Sequence, residues 1–158
     1  MTEEIVEKIT FELKQDEDGY PPDRWERLWA AKLRDGLYRI DNIPFYIKGV
    51  SSGDIVSVFV VEEELRFSEM VTPSQNSVIR LFVFEVEDVP SARRAFQDLG
   101  CESELSKAPR LFAIEVPEQV DFDLVWNVIE EGVDKGRWDF EIGVLRHNTG
   151  GALIRGGE

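Results

Sequence analysis

Residues that could bind or transform a ligand are concentrated between Gly19 and Asp54. This stretch holds six aromatic side chains, more bulk than a small sheet requires, with polar residues interleaved among them. The aromatic residues are Tyr20, Trp25, Trp29, Tyr38, Phe45 and Tyr46, and the polar ones are Glu26, Asn42 and Asp54. Such a stretch can line a ligand-binding cleft at a junction between two parts of a protein. It can equally pack those parts together, since Tyr and Trp bury their rings while satisfying one polar tip, and we favour this packing role.

Arg80 is the second residue that could take part in ligand binding, because it lies near the start of segment 78–86, which is apolar apart from Arg80 and Glu85. A guanidinium left unpaired in such a segment would be costly. We therefore expect it to pair with a carboxylate such as Glu26 or Asp54, to bind an anionic ligand, or to reach water. An internal ion pair without a ligand is the alternative we favour, since structural ion pairs also occupy such positions. Any small-molecule site is predicted at the junction lined by Tyr20, Glu26, Trp29, Asn42, Phe45, Tyr46, Asp54 and Arg80.

No motif for catalysis, metal binding or cofactor binding is found. Cys101 and His147 are the only cysteine and histidine, so an internal disulfide and a structural zinc site with four soft ligands are both excluded. A calcium loop starting at Asp16 would need Gly and Glu where Pro21 and Arg27 stand. Glycine-rich phosphate-binding and nucleophile motifs do not occur. We predict no catalytic residues, no metal and no cofactor.

The chain of 158 residues is strongly acidic, with 32 acidic against 18 basic side chains and a net charge of -14. Nucleic-acid binding is disfavoured, because affinity for phosphates comes largely from Lys and Arg that displace counterions. Anionic membrane surfaces are disfavoured for the same reason. A basic protein partner fits this charge, as does plain solubility. The N-terminus lacks the pattern of a signal peptide, and charges interrupt every apolar run, so we expect a cytoplasmic protein.

The second half of the chain predicts the order β-α-β-β-α-β. Asp88 and Asp121 are placed to begin the two helices. The four strands are expected at 78–86, 101–106, 111–116 and 138–144. The first and third are apolar on both faces, as central strands are, and the other two suit edges. Right-handed crossovers then give the sheet order 4-1-3-2 of a ferredoxin-like sandwich, with both helices on one face.

The first half of the chain predicts mostly β structure. Asp35 and Gly36 are a hairpin signal between neighbouring strands, although Trp25, Leu28 and Trp29 also suit a turn of helix. Strands are expected near 9–13, 27–33, 37–40, 55–62 and 65–71. We predict an α+β protein in which this half forms a small curled β-sheet or partial barrel that packs against the open face of the ferredoxin-like sandwich. The expected boundaries are a β-rich subdomain at 1–73, a ferredoxin-like subdomain at 74–147 and a flexible tail at 148–158.

A series of short motifs carries a family resemblance. The chain has a GYPP turn at 19–22, ERLWA at 26–30, DNIPFY at 41–46, SSGDIV at 51–56 and SQNSVIR at 74–80. In this order the motifs resemble an uncharacterised bacterial family, domain of unknown function 4265, over about residues 11–140. The resemblance implies bacterial origin and a single unit. The family carries no assigned activity, so it implies no catalytic residues.

Two functions stay open from the sequence. The leading hypothesis is a non-enzymatic interaction or regulatory protein that neutralises a basic protein partner, as an immunity protein or antitoxin does. The alternative is a small-molecule-binding protein or enzyme that uses the aromatic cleft at the junction. The sequence does not determine the oligomeric state.

The near absence of cysteine and histidine predicts that thermal stability is independent of metal ions and of disulfide bonds. Since Cys101 and His147 are the only cysteine and histidine, thermal unfolding midpoints measured with and without a chelator should coincide. The same midpoints with and without a reductant should also coincide, because no internal disulfide can form. A large drop with either reagent would contradict the prediction.

Overall fold

The computed structural model describes residues 4–148, which form nine strands and two helices. The strands are β1 (Val6–Glu12), β2 (Trp25–Arg34), β3 (Leu37–Ile40), β4 (Ile55–Val61), β5 (Glu64–Thr72), β6 (Ser77–Val83), β7 (Glu102–Leu105), β8 (Leu111–Val116) and β9 (Trp138–Val144). The helices are α1 (Val89–Gln97) and α2 (Phe122–Asp134), and a single 3-10 turn, Val86–Asp88, precedes α1. The chain divides into two units, Met1–Ser74 and Gln75–Glu158. The predicted tail lies outside the described residues, apart from Asn148.

The first unit is a closed barrel of β1 to β5. Each strand pairs antiparallel with the next, and β1 closes the ring by pairing in parallel with β5, where Ile9 lies opposite Leu65. The sequence predicts a small curled sheet or a partial barrel, whereas the observed barrel is closed. The closing contact joins strands from opposite ends of the unit, which local hairpin signals do not reveal.

Strand β2 shows why the barrel forms from this sequence. Glu26, Leu28 and Ala30 are buried at alternate positions, whereas Arg27 and Trp29 between them are exposed. This period of two identifies a strand with one buried face, so the alternative of a helical turn is wrong. The predicted Asp35–Gly36 hairpin follows, and Gly36 takes the positive φ of 77° that its turn needs. The barrel core is Ile9, Phe11, Leu28, Ala30, Tyr38, Ile40, Val50 and Val56.

The second unit is a four-stranded antiparallel sheet in the order β7-β8-β6-β9. This is the strand order predicted from the sequence. Strands β6 and β8 are central, and their apolar character on both faces is the pattern from which their position was predicted.

Both helices of the second unit pack on one face of its sheet, where their buried residues share a core with every second residue of β6 and β8. Asp121 begins α2 as predicted, its carboxylate accepting the backbone N–H of Asp123 at 3.0 Å. Asp88 lies at the start of α1 without capping it through its side chain, because the preceding 3-10 turn leaves Asp88 in helical conformation. Among residues 4–148, neither helix is long and apolar enough to cross a membrane.

Gly132 of α2 makes room for a tryptophan. A Cβ atom on Gly132 would lie 2.0 Å from Cε2 of Trp138, far inside van der Waals contact. Trp138 is buried there, and its Nε1–H donates to the carbonyl oxygen of Ile129 at 3.1 Å. The glycine thus sets how closely α2 packs on β9, although glycine inside a helix costs about 1 kcal/mol relative to alanine.

Candidate functional site

The carboxylate of Glu26 is bound by three consecutive backbone amides. Its Oε2 accepts the N–H of Phe45 at 2.6 Å, and its Oε1 accepts the N–H groups of Tyr46 at 3.2 Å and Ile47 at 2.8 Å. Glu26 shares the inward face of β2 with Leu28, so its buried side chain reaches the loop of residues 41–54 from inside the barrel. Hydrogen bonds from backbone amides to an ionised carboxylate are among the stronger ones in proteins. We refer to this arrangement as the Glu26 clamp.

The other two polar residues of the predicted site also bind backbone. Asn42 accepts the N–H of Trp29 through Oδ1 at 2.7 Å, which ties the start of the 41–54 loop to β2. Asp54, fully buried, accepts the N–H of Ser51 through Oδ2 and that of Ser74 through Oδ1, both at 2.8 Å. The three side chains therefore fasten one long loop at its start, middle and end.

The aromatic residues of the predicted site lie around the same loop and on the outside of β2. Tyr20 and Tyr46 pack edge to face with ring centroids 6.0 Å apart. Phe45 is half-buried beside Tyr46. Trp29 is 46% exposed, and the ammonium of Lys8 lies 4.9 Å from its ring. The structure thus connects Tyr20, Phe45 and Tyr46 to the loop held by Glu26, whereas Trp29 faces outward from the barrel.

Arg80 belongs to the second unit and is only 1% exposed. Its Nη1 lies 3.5 Å from Oε1 of Glu141, which faces it across the β6–β9 ladder. An internal ion pair is therefore present, as expected, and it joins Arg80 to Glu141. The carboxylates of Glu26 and Asp54, which the sequence suggests as examples of a partner, accept backbone amides. Gly143 leaves space for the guanidinium, because a Cβ atom there would lie 2.1 Å from Nη1. Antiparallel pairing of the predicted central and edge strands is the signal that could have identified Glu141.

A serine–histidine contact in the second unit was missed from the sequence. Nδ1 of His147 lies 2.6 Å from Oγ of Ser77, and its Nε2 lies 2.7 Å from the carbonyl oxygen of Pro117. Because a carbonyl only accepts, Nε2 carries a proton, and in the neutral ring Nδ1 accepts the Ser77 hydroxyl. Ser77 is fully buried, and its Oγ also accepts the N–H of Arg146 at 2.8 Å. These contacts anchor the end of β9 to the start of β6, and burial keeps the hydroxyl from a substrate.

Two further groups with possible reactivity are held protonated. Burial raises the pKa of the Cys101 thiol to about 12, and the nearby carboxylate of Glu115 adds to the rise. Burial, together with a hydrogen bond that it donates to the Glu7 carboxylate, raises the pKa of the Tyr38 hydroxyl to about 12. Neither group is a nucleophile near neutral pH, since the thiolate and phenolate forms would be rare. Within residues 4–148, no group of three or more His, Cys, Asp or Glu side chains is arranged to hold a metal ion.

The residues of the predicted site therefore have separate structural roles. Its acidic and amide side chains in the barrel hold a loop, and its arginine pairs with a neighbouring strand. Three of its aromatic residues surround the loop. A ligand-binding cleft at the junction of the two halves stays a prediction.

The Glu26 clamp predicts a large and specific loss of stability on mutation. Glu26→Ala leaves three loop amides without their acceptor, so the free energy of unfolding should fall by about 3 kcal/mol. The control is Glu12→Ala, which removes an exposed carboxylate from the neighbouring β1 and should cost no more than about 0.5 kcal/mol. Chemical denaturation measures both, and equal losses would contradict the role given to Glu26.

The Arg80–Glu141 pair predicts a non-additive mutant cycle. Glu141→Gln weakens the attraction on a buried guanidinium, whereas Arg80→Met removes the charge itself. We expect the double variant to regain about 1–2 kcal/mol relative to the sum of the two single losses. Denaturation curves of all four proteins give this coupling. Strictly additive losses would mean that the 3.5 Å contact contributes nothing to stability.

Comparison with known proteins yields a family and a shared fold. No curated protein matches the chain. A solved structure described as the "novel crystal structure of a hypothetical protein from Neisseria gonorrhoeae" is similar at a TM-score of 0.74 and 16% sequence identity. The similarity covers 91% of this chain and 98% of that one, and at this identity it shows the fold alone. A family model described as "Domain of unknown function (DUF4265)" matches residues 26–140, well over half of the chain. The resemblance carried by the short motifs is thereby confirmed, and the chain belongs to the DUF4265 family.

Proposed function

We propose that the protein is a non-enzymatic interaction or regulatory protein that binds a basic protein partner. The observation that carries the proposal is the Glu26 clamp. A carboxylate that accepts three backbone N–H groups at 2.6 to 3.2 Å is committed to the fold, and it is poorly placed to exchange protons with a substrate. Asn42 and Asp54 are committed in the same way. The side chains best suited to chemistry therefore support a structural use.

The charge distribution supports a basic partner. Each of the two units carries 16 acidic and 9 basic side chains, a net charge of -7, so the acidic excess is not confined to one of them. A field of one sign raises the rate at which oppositely charged proteins meet. Neutralisation of a basic protein, in the manner of an immunity protein or antitoxin, is the regulatory role that fits this field.

The fold type and compartment belong to the same proposal. The β-α-β-β-α-β order, the sheet order and the two helices on one face support a ferredoxin-like second unit. Such sandwiches host many functions, so the fold by itself does not favour an enzyme. The bacterial cytoplasm suits the protein, because thiols such as that of Cys101 stay reduced there.

A small-molecule-binding protein or enzyme is the second candidate. The observation in its favour is the Tyr20–Tyr46 pair, in which Tyr20 is exposed and Tyr46 half-buried. Exposed tyrosines can stack on a ligand and donate a hydrogen bond from the hydroxyl. This candidate ranks lower because the polar side chains beside the pair bind the loop backbone.

Affinity capture followed by reconstitution tests the proposal. The tagged full chain is used to capture proteins from a bacterial lysate, and each captured protein is then purified and mixed with it. We expect a basic protein to form a complex of fixed stoichiometry that weakens as the salt concentration rises, because salt screens the opposite charges. Size-exclusion chromatography with light scattering measures the complex.

Two results would overturn the proposal. One is the absence of any fixed complex with a basic protein at low salt. The other is a thermal shift produced by a defined metabolite and abolished by Tyr46→Ala, with Tyr38→Phe as a control inside the barrel core. This second result would establish the small-molecule alternative.

A further inference from the structure

An exposed run of apolar and acidic residues follows β6. Phe82 is 42% exposed, Phe84 37% and Val86 48%, and the residues Glu85 and Glu87 between and after them are also exposed. These five residues are called the Phe–acid surface below. The surface begins at Phe82, near the end of the central strand β6, and continues into the 3-10 turn that precedes α1.

The Phe–acid surface is held in one conformation by backbone hydrogen bonds. The N–H of Phe84 donates to the carbonyl oxygen of Arg137 at 3.0 Å, and the N–H of Val83 donates to that of Arg110 at 2.8 Å. The N–H of Asp88 closes the turn on the carbonyl oxygen of Glu85 at 2.9 Å. Binding of a partner here would cost little conformational entropy, because these hydrogen bonds already order the backbone of the segment.

Two of the three apolar side chains of the surface are in contact with each other. The rings of Phe82 and Phe84 pack edge to face with centroids 6.3 Å apart, and Val86 follows two residues later. Single exposed apolar side chains are normal, but adjoining ones mark interaction sites. Aromatic residues are also enriched in protein interfaces, where a few of them contribute most of the binding energy.

Charge identifies the kind of partner. Asp139 lies opposite Phe82 in the β6–β9 ladder and is exposed, which adds a carboxylate on the other flank of the rings. With Asp88, Glu85 and Glu87, four carboxylates border the apolar residues. Two arginines adjoin the surface through their backbone carbonyl groups, Arg137 and Arg110. The guanidinium of Arg137 lies over the Trp138 ring, 5.0 Å from its centroid. The excess of carboxylates complements a basic segment and would repel an acidic one.

We propose that the Phe–acid surface docks a basic protein segment in which apolar side chains are flanked by Lys or Arg. The inference rests on the proposed function and adds the place and the chemistry of contact. The apolar side chains of the segment pack on Phe82, Phe84 and Val86. Its cations lie near Glu85, Glu87 and Asp139, so binding combines burial of apolar area with charge attraction that salt weakens.

A display library of random twelve-residue peptides tests the inference. The immobilised full chain selects peptides at low salt, and peptides with two or more Lys or Arg residues around apolar ones should be enriched. The most enriched peptide is then synthesised, and its dissociation constant is measured by fluorescence anisotropy for the wild type and for variants.

The decisive variant is Phe84→Ser/Val86→Ser, which removes two exposed apolar side chains and should weaken binding about tenfold or more. Its matched control is Leu124→Ser/Val133→Ser, which removes two exposed apolar side chains from α2 and should leave binding within about twofold. Glu85→Gln/Glu87→Gln keeps the apolar part and should make binding less dependent on salt. Circular dichroism and thermal unfolding check that every variant is folded.

The possible outcomes distinguish failure of the docking surface from failure of the proposed function. Enriched basic peptides that lose affinity only through changes in the Phe–acid surface support both. Basic peptides that bind both serine variants equally overturn the docking surface and leave the basic partner standing. If basic peptides are not enriched at all, both the surface and the proposed function are overturned.

Discussion

The structure of the barrel depends on one buried carboxylate. Without the Glu26 clamp, the amides of residues 45–47 would face the barrel interior with no acceptor, and buried backbone donors are almost always paired. The clamp in turn positions Ile43 and Val50, both buried parts of the same loop. A loop of this length without helix or strand is uncommon in a compact domain, and here it contributes Ile43 and Val50 to the buried core.

How far the sequence predicts the molecule depends on the range of each contact. The hairpin at Asp35 and Gly36 and the strand order of the second unit follow from local periodicity and turn residues, and both are observed. The closure of the barrel through Ile9 and Leu65 joins residues far apart in the chain, and no local pattern encodes it. The pairing of Arg80 with Glu141 is intermediate between these two cases. The two residues are far apart in the chain, but the register of β6 against β9 places them opposite each other.

The predicted site shows a related limit. Glu26, Asn42 and Asp54 stand out in the sequence as polar residues among aromatic ones. Sequence does not distinguish a carboxylate that binds a ligand from one that binds its own backbone, since both need burial and donors. The ERLWA, DNIPFY and SSGDIV motifs contain these residues, and in this chain all three residues bind the backbone of one loop or of the strands beside it.

The four tryptophans are divided evenly and lie in contrasting environments. Trp29 of the barrel is 46% exposed, and the guanidinium of Arg66 lies 4.7 Å from the centroid of the Trp25 ring. Trp126 and Trp138 are buried in the core of the second unit, the latter in the space left by Gly132. Indole emission moves to longer wavelength as the ring meets water, so the native fluorescence band is a sum of a red component from the barrel and a blue one from the sheet. The band therefore reports on the two units separately, and its shape during denaturation reveals whether they lose structure together or in turn.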